Sequence, residues 1–397
     1  MLKPDTLALS ALLASMTALG PLATDMYLPS LPNIAGAMTT GAAQVQWTLS
    51  AFLVGFAVGQ IFHGPLADRH GRKPVLLGGL GLFVVATIAC GLANSIEALV
   101  VGRFFQALGA SGPIVLARAV VRDLYQGARA GQEMARMGML MGLVPAIAPF
   151  FGGLLEVQFG WRASFFFCAA YGLIGAGVVL QGLPETVPVR LTSPFSLRAI
   201  AGGFASILKV PSYQAHIAIV CTAFGGLFAF ISGSSFVLQS LYGMSEVGYG
   251  IGFGLCALAF VGGSMLARRL VPRVGVQRSI ALGTLAMAGG GLAMLAATAL
   301  LDSGSPVEVI APMMLYMVGI GLALAQAQTA ALMPFPDRAG TASSLTGVMQ
   351  MSVAAAIGLV VGAHYGASGV PLALIIAALG VGALLIERAS RAIRGAG

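Results

Sequence analysis

Residues 64–74 read Gly-Pro-Leu-Ala-Asp-Arg-His-Gly-Arg-Lys-Pro, and this stretch decides the fold. It places four charged side chains and a histidine between two apolar runs of about twenty residues each, the length that a helix needs to cross a bilayer. Only 9% of the chain is charged, so the cluster is a strong local exception. We therefore predict a short cytoplasmic hairpin between two membrane helices, with Gly64 and Gly71 bracketing the turn.

The composition excludes a soluble globular protein. Hydrophobic residues make up 58% of the 397 residues, and the mean hydropathy is +0.92. The polar residues are too few to cover the surface of a soluble domain of this size. Apolar runs recur to the end of the chain, which excludes a lone signal peptide, and the short alternating segments of a β-barrel are absent. We predict an all-α integral membrane protein.

Apolar windows of about twenty residues predict twelve spans. They cover 6–29, 45–66, 75–95, 98–121, 134–156, 163–183, 213–236, 247–267, 276–300, 307–331, 341–363 and 369–387. The longest polar connection separates six spans from six. This predicts an N-terminal half at 1–183, a cytoplasmic linker at 184–212 and a C-terminal half at 213–397. A faint repeat supports two related halves, because Leu66-Ala67-Asp68-Arg69 has a counterpart at Leu266-Ala267-Arg268-Arg269 that lacks the aspartate.

The basic residues set the predicted orientation. Of the 21 Lys and Arg residues, all but Arg103, Arg118 and Arg162 fall on one side of the predicted spans. Basic loops stay in the cytoplasm, so both termini are expected there, and the membrane is the bacterial inner membrane if the family resemblance given below holds. The net charge of +8 is then a topology signal, and we expect no nucleic-acid partner.

Three charged residues fall inside predicted spans, where a charge costs about 2.5–3.5 kcal/mol and indicates function by default. Asp25 is the only carboxylate well within a predicted span of the first half, and Arg103 lies at a similar depth in span 4. Both are expected within roughly 10 Å of the outer interface, where they can face a shared cavity, and we take them as the hypothetical proton-coupling pair. Two alternatives stay open: a static buried ion pair, or an Asp25 side chain that reaches the outer headgroups. Arg118 is the third charge, with a polar or anionic substrate group or a structural partner as its expected contact.

Other polar and small residues suggest moving parts and a substrate cavity. Arg122 and Asp123 end span 4 near the hairpin and are expected gate residues. Small residues and prolines give span 5 a face that can bend and slide. The gate set predicted here is Gly64, Asp68, Arg69, Gly71, Arg72, Arg122, Asp123, Pro149, Gly152 and Gly153, and the cavity set is Tyr27, Gln106, Arg118 and Gln239.

No enzymatic chemistry is visible in the sequence. His63, His216 and His364 lack ligand spacing, so we expect no metal. No Walker motif or nucleophile–base arrangement occurs, so we expect neither ATP coupling, another cofactor nor an enzyme.

With these residues in view, the chain resembles the Bcr/CflA branch of the major facilitator superfamily. The likeness lies in residues 18–29, the 64–74 hairpin, 102–106, 122–125, 183–186 and 339–345. It implies the major facilitator fold, with Asp25 as the span-1 carboxylate, Arg103 as the span-4 motif arginine and 145–153 as the span-5 antiporter motif. The implied activity is proton-driven export of small, mostly uncharged drugs, which is a cause of antibiotic resistance.

An exporter of an endogenous metabolite, such as an amino acid or sugar derivative, is the nearest alternative. A membrane receptor or enzyme is a more distant one. The expected partners are the drug or metabolite, protons and membrane lipids, and we expect a monomer.

Overall fold

The computed structural model describes residues 6–125, 127–187, 197–301, 303–364, 366 and 368–391. Within these ranges the chain is helical, without strands, and it forms fourteen α-helices. They are α1 (Leu7–Asp25), α2 (Leu31–Ala37), α3 (Ala42–His70), α4 (Arg72–Gly91), α5 (Ile96–Leu124), α6 (Gly127–Phe159), α7 (Arg162–Gly182), α8 (Leu197–Leu208), α9 (Pro211–Ser235), α10 (Glu246–Val274), α11 (Val276–Leu300), α12 (Val307–Leu332), α13 (Ala339–Ala363) and α14 (Val370–Ala389).

Twelve helical segments of the described residues are long and apolar enough to cross a membrane, so the predicted all-α, twelve-span fold is confirmed. Two of the spans are composite. Span 1 joins α1 and α2 through a 3₁₀ turn at Leu28–Ser30, and span 7 continues α9 into a π-helix at Phe236–Leu241. The 3₁₀ turn is tighter and the π-helix wider than an α-helix, and both kinds of irregularity often mark functional places in a helix. The short helix α8 lies within the predicted linker 184–212, of which residues 188–196 fall outside the described part.

The predicted hairpin at 64–74 is wrong in its extent. α3 continues to His70 and α4 begins at Arg72, so Gly71 alone makes the turn. Its φ of +105° lies where side-chain-bearing residues are strained, and its N–H closes α3 on the Ala67 carbonyl at 2.9 Å. The charged residues are therefore displayed on the ends of two helices, in fixed directions.

The corresponding turn in the second half corrects the predicted repeat. Gly275 has a φ of +84° and donates to the carbonyl of Val271 at 2.9 Å, as Gly71 does to Ala67. Aligning the sequence on these two glycines pairs Leu66–Arg69 with Leu270–Arg273 instead of with 266–269. The position of Asp68 is then held by Pro272, so the second turn has no carboxylate there.

The chain divides into two compact units at Phe195–Ser196. In the first unit α5 packs against both α3 and α4, α4 also against α7, and α1 against α6. In the second unit α11 packs against α12 and α14, and α9 against α13 and α14. Ile207 of α8 is buried with Tyr213 and Leu345, which fixes this short helix to the second unit.

Candidate functional site

Arg103 is a fully buried charge at the centre of the first unit. Its Nη1 donates to the carbonyl of Ala23 at 2.9 Å and to Oε1 of Gln106 at 2.6 Å. Gln106 is itself held by Thr87, whose hydroxyl accepts from its Nε2 at 3.0 Å. The Nε and Nη2 groups of Arg103 are buried and have no acceptor among the described residues. Two donors of a buried guanidinium therefore remain available for a water or a ligand.

Aromatic rings surround the guanidinium of Arg103 where a counter-ion would be expected. Its central carbon lies 4.3 Å from the ring centre of Phe52 and 4.5 Å from that of Tyr27. Ring faces attract cations, and more strongly when water is excluded. Tyr27 is fixed in turn by a hydrogen bond between its hydroxyl and that of Thr48. The structure thus brings the predicted cavity residues Tyr27 and Gln106 together with Arg103, packed in the interior.

Asp25 ends α1, directly before the 3₁₀ turn of span 1, and is only 4% exposed. It interacts electrostatically with Arg103, yet the described residues contain no direct ion pair or hydrogen bond between the two. The tight ion pair considered from the sequence is not the arrangement seen. Asp25 is buried near a cation that other groups already hold, so it can gain or lose a proton without breaking a salt bridge.

The buried group of Asp25, Tyr27, Gln106 and Arg103 is called the Asp25 pocket below. Spans 1 and 5 run parallel and in constant register beside it. Ser10 meets Arg136, Met26 meets Gly152 and Ser30 meets Glu156, each pair 126 residues apart. At the middle contact a Cβ on Gly152 would lie 1.9 Å from the Met26 carbonyl oxygen. Glycine is required there because two backbones touch. Pro149 and Gly153 of the predicted span-5 motif are buried on the same helix, α6.

Two further buried carboxylates lie in α6, so Asp25 is not the only one inside the first unit. Glu133 is 2% exposed and is bound by Arg129 at 3.3 Å and Arg136 at 2.8 Å. Glu156 is 8% exposed and is hydrogen-bonded to Ser30 and to Asn33. The sequence prediction missed both because the span-5 window began at residue 134 and ended at 156. A charged residue at one helical turn from Gly152 was the available signal.

Asp68, Arg72 and Asp123 form an ion-pair cluster at the turn between α3 and α4, which we call the hairpin end of the unit. Arg72 is buried; its Nη1 lies 2.5 Å from Asp68 Oδ1 and its Nε lies 2.9 Å from Asp123 Oδ2. One guanidinium therefore ties α3, α4 and α5 together. Of the predicted gate residues the structure assembles these three around Gly71, whereas Arg69 and Arg122 are exposed and Gly64 has open space beside it.

Glu185 also contacts this cluster, and the sequence analysis did not single it out. It accepts from the backbone N–H of Arg72 at 2.8 Å and of Lys73 at 3.4 Å, so it caps the start of α4 from a distant segment. Partial burial acts to raise the pKa of Glu185, but the backbone N–H groups of Arg72, Val187, Thr186 and Lys73 outweigh it, so the pKa lies below its ordinary value. Side chains on Gly71 would collide with this carboxylate at 2.3 Å.

Of the predicted cavity residues, Arg118 lies away from Arg103 within the first unit. Arg118 is fifteen residues beyond Arg103, about 22 Å along α5. Its guanidinium is exposed, and its only polar contact among the described residues is with the Met141 sulfur at 3.9 Å. Gln239 belongs to the second unit, where its Nε2 donates to Ser235 at 2.7 Å in the π-helix segment.

Comparisons with known proteins agree on the family. The model of the Major Facilitator Superfamily matches residues 13–359. A bicyclomycin resistance protein homolog of Haemophilus influenzae is 33% identical over 88% of this chain and 87% of its own. A chloramphenicol resistance protein of Pseudomonas aeruginosa is 32% identical over 84% of this chain and 78% of its own.

A solved structure shows the same fold at much lower sequence similarity. The crystal structure of the peptide transporter POT in complex with sulfate aligns with a TM-score of 0.76 over 98% of this chain and 94% of that one, at 16% identity. The family match spans most of the chain and includes the hairpin-end cluster, while the last span, Val370–Ala389, lies beyond it. The chain is therefore a multi-pass membrane transporter of the Major Facilitator Superfamily.

Proposed function

We propose that this transporter exports small, mostly uncharged drug-like molecules from the bacterial cytoplasm in exchange for protons, by alternating access. A membrane transporter of this kind is not normally an enzyme. The observation that carries the proposal is the Asp25 pocket. Among the described residues it holds a buried carboxylate without an ion-pair partner, beside an arginine whose Nε and Nη2 groups have no acceptor. The resistance names of the relatives support drugs as substrates.

The proposed orientation places the hairpin end in the cytoplasm and the Ser30–Glu156 end outside, following the distribution of basic residues. Asp25 takes a proton when its pocket opens outward. When the pocket opens inward, drug binding displaces that proton to the cytoplasm. Arg103 stays in place on the Ala23 carbonyl and favours the ionised aspartate that remains.

The proton gradient is strong enough for this exchange. Moving one charge across the membrane yields about 2.3 kcal/mol per 100 mV, and each 1.4 kcal/mol is a tenfold ratio. For a neutral drug and one proton, roughly 100–150 mV supports a gradient of tens- to a few hundred-fold. One buried carboxylate of the Asp25 type is therefore sufficient to drive resistance.

A drug-susceptibility panel in an efflux-deficient bacterial host tests the proposal. The parent protein should raise the tolerated concentration of several uncharged antibiotics, and Asp25→Asn should remove that protection at equal amounts in the membrane. Glu97→Gln, at an exposed carboxylate near the start of α5, is the matched control and should protect as the parent does. Equal protection by parent and Asp25→Asn would refute proton coupling at this site, and no protection by the parent would refute drug export.

Export of an endogenous metabolite is the second candidate, and Arg118 is the observation that favours it. An exposed guanidinium inside a membrane helix with only a methionine sulfur as polar contact suits an acidic group on a substrate. Uptake of labelled amino acids or sugar acids into everted vesicles separates the two candidates. Arg118→Gln should abolish transport of an acidic metabolite and should spare transport of a neutral drug.

A further inference from the structure

Glu156 is a buried acid that the proposed cycle does not use. It lies in α6, one turn before the helix ends at Phe159, and only 8% of it is exposed. The hydroxyl of Ser30 donates to its Oε2, and the side-chain amide of Asn33 donates to its Oε1 at 2.7 Å. Both donors come from span 1, beyond Asp25. The carboxylate is therefore placed between two helices, close to the end of the unit that lies opposite the hairpin.

No cation neutralises Glu156 within the described part of the chain. Of the nearby arginines, Arg103 is held by the Ala23 carbonyl and Arg162 by the Ala93 carbonyl at 3.2 Å and by Asn94 at 3.3 Å. The titratable and charged groups on the packed elements towards this end are Asp25 and Tyr27 on span 1, Glu97 and Arg103 on α5, and Arg162, Cys168 and Tyr171 on α7. None of them bonds to the carboxylate. An ionised group in this setting is held by neutral donors alone, which is costly inside a membrane helix.

The same contacts also suit the protonated acid. A hydroxyl both donates and accepts, so Ser30 can turn and receive the proton that a neutral Glu156 offers. Asn33 continues to donate to the other oxygen in either state. The pair of neutral partners therefore accommodates both forms without moving a helix, whereas Glu133 has two arginines as its partners.

The position of Glu156 connects it with the coupling pocket. Met26, the neighbour of Asp25, touches Gly152. Glu156 lies one turn further along α6, so it is about 6 Å farther from the hairpin end than Gly152 is. Asn33 is exposed, so water reaches its side of the carboxylate. A proton that enters from the end opposite the hairpin meets Glu156 before it meets the level of Asp25.

We propose that Glu156, with Ser30 and Asn33, is a second proton-binding site of this transporter, on the outer side of Asp25. A hydronium ion in the outside water transfers its proton: one of its O–H bonds breaks, an O–H bond forms on the Glu156 carboxyl group, and a water molecule is left. The binding of the proton stands on the geometry above. Its part in supplying Asp25 rests on the proposed function.

Infrared difference spectroscopy of the purified protein, without drug, tests proton binding directly. Lowering the pH from about 9 to about 5 should produce the carbonyl band of a protonated carboxylic acid. One component of that band should be lost in Glu156→Gln, which keeps the shape of the side chain, and should persist in Asp25→Asn and Glu97→Gln. Ser30→Ala should keep this component but shift it, because one hydrogen bond is removed. A band in Glu156→Gln identical to that of the parent would overturn the proposal.

Transport separates the failure of this proposal from the failure of the proposed function. In proteoliposomes Glu156→Gln should need a higher outside proton concentration than the parent for half-maximal export, whereas Asp25→Asn should export nothing uphill. If Asp25→Asn exports as the parent does, the coupling proposal fails and the infrared result on Glu156 stands. If the infrared component is absent in the parent, the Glu156 site fails whatever the export data show.

Discussion

Replacing Gly152 by alanine tests the contact that holds α6 against the residue after Asp25. The added Cβ would lie 1.9 Å from the Met26 carbonyl oxygen, whereas real Cβ contacts essentially never fall below 3.0 Å. The two backbones must therefore separate by at least about 1.1 Å, in an interior that packs like an organic crystal. No side-chain rotation relieves the clash, because the backbone of α6 fixes the position of the added Cβ and the atom that it meets is a backbone oxygen.

Gly138→Ala is the matched control, since Gly138 lies on the same helix with nothing within 4 Å of the added carbon. Both variants gain the same helix propensity, so their difference isolates the clash. Overpacking of this kind costs about 1–3 kcal/mol. In a unit of this size that corresponds to a melting temperature about 2–12 °C lower for Gly152→Ala than for Gly138→Ala.

The assay is thermal unfolding in detergent, paired with drug export in proteoliposomes. Gly152→Ala should melt lower and export more slowly, because moving Met26 also moves its neighbour Asp25. Gly138→Ala should export as the parent does and should melt no lower than the parent, because it gains helix propensity without a clash. If Gly152→Ala melts and exports as Gly138→Ala does, the α1–α6 contact is not as close as described and its link to Asp25 is wrong.

Substitutions at three further residues probe the other parts of the site. The lowered pKa of Glu185 means that its stabilising contribution is present above its ordinary pKa of about 4.3 and is lost as the pH falls through the lower folded value. Melting temperatures measured against pH should therefore fall on the acid side in the parent, and this fall should be smaller in Glu185→Gln. Arg72→Lys keeps the charge but offers one nitrogen to two carboxylates, so it should cost about 1–3 kcal/mol and lower export at unchanged membrane levels, measured by immunoblot and efflux. Arg103→Lys should export more slowly than the parent, because lysine keeps the charge while losing the planar fork and its ring contacts. Arg103→Ala should export more slowly still. Efflux rates at matched expression decide this order.

The sequence alone predicts the architecture well because membrane spans depend on length and apolarity, which are local properties. The twelve spans and the charged cluster at 64–74 follow from composition and spacing. The single-residue turn at Gly71 did not follow, because its cap is Glu185, more than a hundred residues away. A contact between distant segments leaves no periodic signal in one sequence.

The site was only partly predictable for the same reason. Asp25 and Arg103 are conspicuous as charges within apolar runs, but the ring faces that replace a direct ion pair depend on packing. Glu156 lay at the edge of a hydropathy window, where a charge looks unremarkable. Only the constant register between spans 1 and 5 shows that it faces Ser30.

Drug-induced proton release from the purified protein in detergent is the most direct test of Asp25 as the exchange site. In weakly buffered solution, adding a transported drug to the parent should release protons, and Glu97→Gln should release the same amount. Asp25→Asn should release none while still binding drug. Proton release by Asp25→Asn equal to that of the parent would contradict the proposed coupling at Asp25.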